Sequence, residues 1–144
     1  VHTALDTSGI MFNPDAPHKF DELLSVTDLV LLDLKHIDDI HHKELTSHSN
    51  KNVLAFAKYL SDMGKPMWIR HVLVPGITDN DEYLKSLAEF VSTLKTVEKI
   101  EVLPYHTMGE VKYDMLGREY PLKGVEPPTK ERVENAKRIL GIIK

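Results

Sequence analysis

The sequence predicts an α/β fold: the C-terminal half of a partial βα barrel with parallel strands, followed by an irregular stretch and a C-terminal helix. Three observations predict it. Four short runs rich in Leu and β-branched residues alternate with helical patterns, and such alternation implies right-handed crossovers between parallel strands. The runs are nearly continuously apolar, as expected of parallel strands covered on both faces. Each run also carries, in or just after its later part, a chemically active residue, Asp6, Asp33, Arg70 and His106 in turn, at steady intervals along the chain. Four strands are too few to close a barrel. The chain also opens directly in a strand-like segment, Val1-His2-Thr3-Ala4. Both features lead us to expect a piece of a longer fold.

The elements follow in order. The strands are expected at Thr3–Asp6, Leu29–Leu34, Met67–Val74 and Ile100–Leu103. A short helix over Phe20–Val26 follows Pro14 and Pro17, and another over Asp38–Leu45 takes Asp38 as its N-cap. Asn50–Met63 carries an apolar stripe of Val53, Leu54, Phe56, Ala57 and Leu60, stopped by Gly64 and Pro66. Asp81–Leu94 carries Leu84, Leu87, Ala88, Val91 and Leu94, with Asn80 as cap and acidic residues in its first turn. The last helix, Lys130–Leu140, is opened by Pro127-Pro128-Thr129 and followed by Gly141.

Composition narrows the function classes. The 144 residues fit one domain, 1–144, with 42% hydrophobic and 28% charged residues. A net charge of −4 gives no basic footprint for nucleic acid. No apolar run has the ~20 residues of a membrane span, and no signal peptide opens the chain, so a cytoplasmic location is expected. With no Cys, this stretch offers no disulfide, no thiolate ligand for zinc or an iron–sulfur cluster, and no catalytic thiol.

In βα barrels, chemistry collects at the carboxyl ends of the strands. Here those ends carry Asp6-Thr7-Ser8-Gly9, Asp33 with Lys35, Arg70 with His71 and Pro75-Gly76-Ile77-Thr78-Asp79, and Pro104-Tyr105-His106. Asp33 and Lys35, two apart, leave the strand on one face. They read either as a structural ion pair closing a barrel layer or as a site for a ligand with a carboxylate and an amine or hydroxyls. Asp6-Thr7-Ser8-Gly9 reads as a strand-ending turn or as an oxygen-rich ligand or cation loop. A buried Arg70 would grip a carboxylate or phosphate, or pair with a core acid such as Asp33. His71, on the opposite pleat, reads as packed against helices. His106 reads as structural or catalytic. His36, His41, His42 and His48 cluster near one helix, but Asp38–Lys43 reads as a solvated helix face rather than a metal site. Gly109–Lys123 reads as a docking loop or an ordinary long connection.

Taken together, Leu5-Asp6-Thr7-Ser8-Gly9, Thr27-Asp28-Leu29-Val30-Leu31-Leu32-Asp33-Leu34-Lys35, Trp68-Ile69-Arg70-His71-Val72-Leu73-Val74-Pro75-Gly76 and Leu103-Pro104-Tyr105-His106 resemble the pyruvate formate-lyase activating enzymes, a family of radical S-adenosylmethionine (SAM) enzymes. Phe56-Ala57-Lys58-Tyr59-Leu60 and Leu122-Lys123-Gly124-Val125-Glu126-Pro127-Pro128 extend the likeness over nearly the whole chain. The resemblance implies a partial (βα)6 TIM-like barrel. It implies reductive cleavage of SAM at a [4Fe-4S] cluster, with a 5′-deoxyadenosyl radical then taking hydrogen from a glycine of pyruvate formate-lyase or another glycyl-radical enzyme. A flavodoxin-type reductant is implied as electron source. By the same resemblance, Asp6, Thr7, Asp33, Lys35 and His106 match positions around SAM. Asp6, Thr7 and Asp33 also match a monovalent-cation site, to which Leu31 contributes only a backbone carbonyl. Arg70 matches a position facing the SAM carboxylate or the glycyl loop. The charges suit such a ligand: Lys35 and Arg70 for its carboxylate, Asp6 or Asp33 for its ammonium or a cation, His106 for a ribose hydroxyl or the adenine.

The departure is as plain. The family's CxxxCxxC motif and Gly-Gly-Glu-type segment have no counterpart here. The chain is therefore expected to be inactive alone, and an isolated half barrel is expected to self-associate through its sheet edges. Two other classes stand beside this reading. One is a cluster-free module that binds SAM or docks on a glycyl-radical enzyme without catalysis. The other is a barrel hydrolase using Asp6, Asp33 and His106 with a metal.

Overall fold

A computed structural model describes residues 2–105 and 126–142. Four strands, β1 (Ala4–Thr7), β2 (Leu29–Asp33), β3 (Met67–Leu73) and β4 (Val97–Pro104), form one sheet. All neighbouring pairs are parallel and the spatial order is the chain order, β1-β2-β3-β4. The helices are α1 (Asp21–Ser25), preceded by a 3-10 turn at Pro17–Phe20, then α2 (Asp39–Thr46), α3 (Lys51–Asp62), α4 (Asp81–Ser92) and α5 (Lys130–Ile139). The α/β class and the parallel partial-barrel sheet are as the alternation predicts. His106 and the Gly109–Lys123 stretch lie outside the described residues.

Sequential order has a direct consequence. Right-handed crossovers that always step to the next strand place every helix on the same side of the sheet. Val30 and Leu32 of β2, Ile69 and Leu73 of β3, and the α3 residues Val53, Phe56, Ala57 and Leu60 meet there in one core cluster, joined by Leu84 and Leu87 of α4 and Ala136 of α5. Val30, Leu32, Ile69 and Leu73 are fully buried.

The opposite pleat behaves differently. Asp6 and Leu103 are exposed, and Leu31, Asp33, Trp68, Arg70, Val72 and Glu101 are only half-buried. The expectation of strands covered on both faces therefore holds for one face only among the described residues. The strand runs look apolar on both pleats because a barrel interior is also built from large side chains.

The predicted caps form. Asp38 accepts from the His41 amide at 3.1 Å and Asn80 from the Glu82 amide at 2.8 Å. Thr129 accepts from Arg132 N at 3.2 Å. One boundary shifts markedly: β4 begins at Val97, three residues early, and its pairing takes up an irregularity at Met67/Trp68. Asn50 caps nothing. Its buried side-chain amide donates instead to the carbonyls of His36, at 3.2 Å, and Ile37, at 2.7 Å.

Candidate functional site

Register builds the site. Asp33 and Arg70 are direct partners across β2 and β3, and Arg70 is the direct partner of Glu101 across β3 and β4. Partners in a parallel sheet share a face, so all three side chains leave on the pleat without helices. Asp6 reaches the same place from β1, where it stands beside Leu31.

Arg70 is the centre. Its Nε donates to Asp33 Oδ1 at 3.0 Å, and its terminal nitrogen donates to Asp6 Oδ1 at 2.7 Å. Lys35 Nζ approaches Asp33 Oδ2 at 3.9 Å. The Asp33 hydrogen bond, above all, raises the Arg70 pKa beyond its ordinary value, with burial opposing and Asp6 adding less. Exposure grades the group: the side chains of Arg70 and Asp33 are 21% and 25% accessible, while that of Asp6 is 60%. The guanidinium and one carboxylate are thus fixed, and the second carboxylate is near water.

Of the residues singled out from sequence, Asp6, Asp33, Lys35 and Arg70 come together. Thr7 does not join them through its side chain. It pairs with Leu32 on the helix-covered pleat, and its hydroxyl accepts from Gly9 N at 3.1 Å. His106 lies outside the described residues. Arg70 is half-buried rather than buried, because its pleat is the open one. His71 is packed as expected: it is 4% exposed and donates from Nδ1 to the Leu34 carbonyl at 2.7 Å. Burial lowers its pKa.

The histidine-rich segment is not simply a solvated face. His42 is fully buried with Nδ1 on the His48 carbonyl at 2.6 Å, and His36 is 1% exposed. His36 stacks on His41, and His41 binds Asp38 at 2.6 Å. Among the described residues no three His, Asp or Glu side chains are grouped to hold a metal ion.

Sequence reasoning missed the fourth strand's contribution. Lys99 Nζ binds Glu101 Oε1 at 3.1 Å and lies 4.7 Å from the Trp68 ring centroid, on the pleat that carries Arg70. The available signal was the alternation Lys99, Glu101, Leu103, masked by placing the strand's start at Ile100.

Comparison with known proteins gives this face a context. Residues 1–91 match the model of the radical SAM superfamily. The chain belongs to the radical SAM superfamily. Asp6, Asp33, Lys35 and Arg70 all fall inside the matched span, and Glu101 falls beyond it. Within this superfamily the chain is 58% identical over 142 residues to a pyruvate formate-lyase-activating enzyme of Streptococcus mutans, covering 97% of the chain and 54% of the relative. It is 49% identical over 140 residues to the pyruvate formate-lyase 1-activating enzyme of Escherichia coli, covering 97% and 56%. The chain thus spans about half the length of these relatives. Its fold is similar to a crystal structure of a domain of pyruvate-formate lyase-activating enzyme from Bacteroides vulgatus, with a TM-score of 0.78 at 24% identity over 99% of this chain and 76% of that one. A radical SAM methyltransferase from Sphaerobacter thermophilus gives a TM-score of 0.66 at 18% identity, over 96% of this chain and 37% of that one.

Proposed function

We propose that this chain forms the SAM-holding later half of a barrel in an enzyme that activates pyruvate formate-lyase, or a related glycyl-radical enzyme, by making a glycyl radical. The observation that carries the reading is the convergence of Asp6, Asp33, Lys35 and Arg70 on the open face at the carboxyl ends of the strands. Two acids and two bases within ion-pair reach fit a zwitterion: the cations take its carboxylate and the acids its ammonium. When bound, SAM supplies the deoxyadenosyl group from which the radical is made. Arg70 and Lys35 would orient it on the open face of the sheet. A monovalent cation at Asp6 and Asp33 would share those carboxylates with Arg70.

The cluster does not fit the residues present. The sequence has no Cys, so a [4Fe-4S] cluster and the electrons of a flavodoxin-type reductant would enter through residues outside it. That same lack favours the second reading, a SAM-binding or docking module without catalysis. The test uses the complete gene product, reconstituted anaerobically with iron and sulfide. The first reading expects stoichiometric cluster, SAM affinity that falls in K35M and R70M, and a glycyl-radical signal when pyruvate formate-lyase is added. SAM binding without iron or radical selects the second reading, and absence of SAM binding overturns both.

A further inference from the structure

The open-face charges depend on how Lys35 is held, because Lys35 lies two residues past the end of β2 and, among the described residues, no ladder hydrogen bond fixes it. Both of its chain neighbours are clamped instead. Leu34 N donates to the Arg70 carbonyl at 2.9 Å, and the Leu34 carbonyl accepts from His71 Nδ1 at 2.7 Å. On the other side, His36 is 1% exposed and is bonded three ways. Its Nε2 donates to the Ile77 carbonyl at 2.9 Å, in the loop after β3. Its Nδ1 accepts from Asp38 N at 3.0 Å. Its own carbonyl accepts from the buried amide of Asn50 at 3.2 Å.

These bonds extend the strand's alternation past its end. Leu34 and His36 are buried, and Asp33 and Lys35 are not. With its neighbours turned inward, Lys35 is turned to the open face beside Asp33. The two ring bonds also demand one neutral tautomer, protonated on Nε2 and bare on Nδ1. Burial, which lowers the His36 pKa, keeps that form. A surface-loop lysine needs no such anchoring. Three buried polar side chains, His36, Asn50 and His71, around one half-exposed lysine indicate that its position matters.

We infer that His36 is a positioning residue for Lys35: through its bond to the Ile77 carbonyl it locks the loop after β2 to the loop after β3 and so aims the Lys35 ammonium at the carboxylate of a zwitterionic ligand. The inference rests on the SAM reading of the site. His36 touches no ligand itself and acts through Lys35.

The test is SAM affinity, by calorimetric titration of the complete gene product, in H36Q, H36N, K35M and the double variant H36N/K35M. Gln reaches as far as Nε2 and restores the donor to Ile77. Asn reproduces the Nδ1 acceptor for Asp38 but is too short to reach Ile77. Both are polar and fit the loop, and thermal melts verify that each folds. H36Q is expected within about threefold of wild type, while H36N weakens binding about tenfold. In the K35M background H36N is expected to add less than about twofold, since a residue acting through Lys35 has nothing left to position. A purely structural His36 would give the same loss with Lys35 present or absent, and that additivity overturns the inference. So does a folded H36N that binds SAM as wild type does while K35M does not. A K35M that binds as wild type overturns the ligand reading of Lys35, and the inference with it.

Discussion

Arg70 and Asp33 are direct register partners on adjacent parallel strands, and the Nε–Oδ1 hydrogen bond between them, at 3.0 Å, is set by the backbone rather than by long side chains finding each other. Its geometry is therefore inherited from the β2–β3 ladder. Asp6 is bound by the same guanidinium but from a strand further away, and from a side chain 60% accessible. Two contacts that look alike in a distance table thus differ in kind.

That difference predicts unequal losses. D33A removes the half-buried partner of a half-buried guanidinium and is expected to destabilise by about 1–3 kcal/mol. D6A removes a more solvated partner and is expected to cost less than about 1 kcal/mol. Urea unfolding of both variants measures the contrast; equal costs would show that the register contact carries no special weight. R70M should lose at least as much as D33A, because both carboxylates are then left facing each other.

Glycine positions separate steric need from backbone preference. Gly9 has φ +71°, and a Cβ there would meet Leu32 Cδ1 and Phe56 Cδ2 at 3.2 Å and the Val53 Cα at 3.4 Å. Gly76 has φ +77° with nothing within 4 Å of that Cβ. G76A is expected to cost about 1 kcal/mol from conformation alone. G9A adds overpacking of the core and is expected to cost about 2–4 kcal/mol. A matched pair of thermal melts checks the order.

The fold was legible because its signals are local: apolar runs, Asp38 and Asn80 as caps, and charged residues recurring along the strands at Asp6, Asp33 and Arg70. So was the face shared by Asp33 and Lys35, which needs only a period of two. Thr7 was grouped with Asp6 as one oxygen-rich segment and by the family resemblance; within the strand its side chain leaves on the other pleat. Glu101 and Lys99 were missed because their placement depends on the β3–β4 register and its irregularity, which are long-range properties. The bonds of Asn50 and His36 are likewise invisible in sequence, since each joins segments brought together only by the tertiary fold.

Arg132 ties the C-terminal helix to the segment that opens α4. Arg132 donates to the Asp79 carbonyl, lies 3.5 Å from the Asp79 carboxylate, and donates to Asp81 at 3.1 Å. Asn135 donates to the same Asp81 oxygen at 2.9 Å. R132A should cost about 1–2 kcal/mol and make α5 the first region cleaved by limited proteolysis. Arg132→Lys should recover only part of this, since one ammonium cannot serve the carbonyl and both carboxylates with the fork of a guanidinium. Unchanged proteolysis in R132A would mean that Ala136 and Leu140, packed in the core, hold the helix by themselves.

Two buried histidines give stability a defined pH dependence. Burial lowers the pKa of both His36 and His71 below the ordinary 6.5. In the unfolded chain both titrate near 6.5, so below that pH the unfolded state binds protons that the folded state does not. Their contribution is fully present above the unfolded pKa and is lost as pH falls from about 6.5 towards the folded values, with a limiting slope of about 1.4 kcal/mol per pH unit for each group. Asp39 adds a separate step: hydrogen bonds from Ser49 and the Asn50 amide hold its pKa down to about 2, from 3.8, so its contribution is lost only as pH falls through that lower range. Denaturant midpoints at pH 7.5, 6.5 and 5.5 should therefore decline in that order, and H36Q should reduce the decline because Gln does not titrate. A midpoint that is flat from 7.5 to 5.5 would mean that the folded chain takes up protons as readily as the unfolded one, and would overturn the prediction.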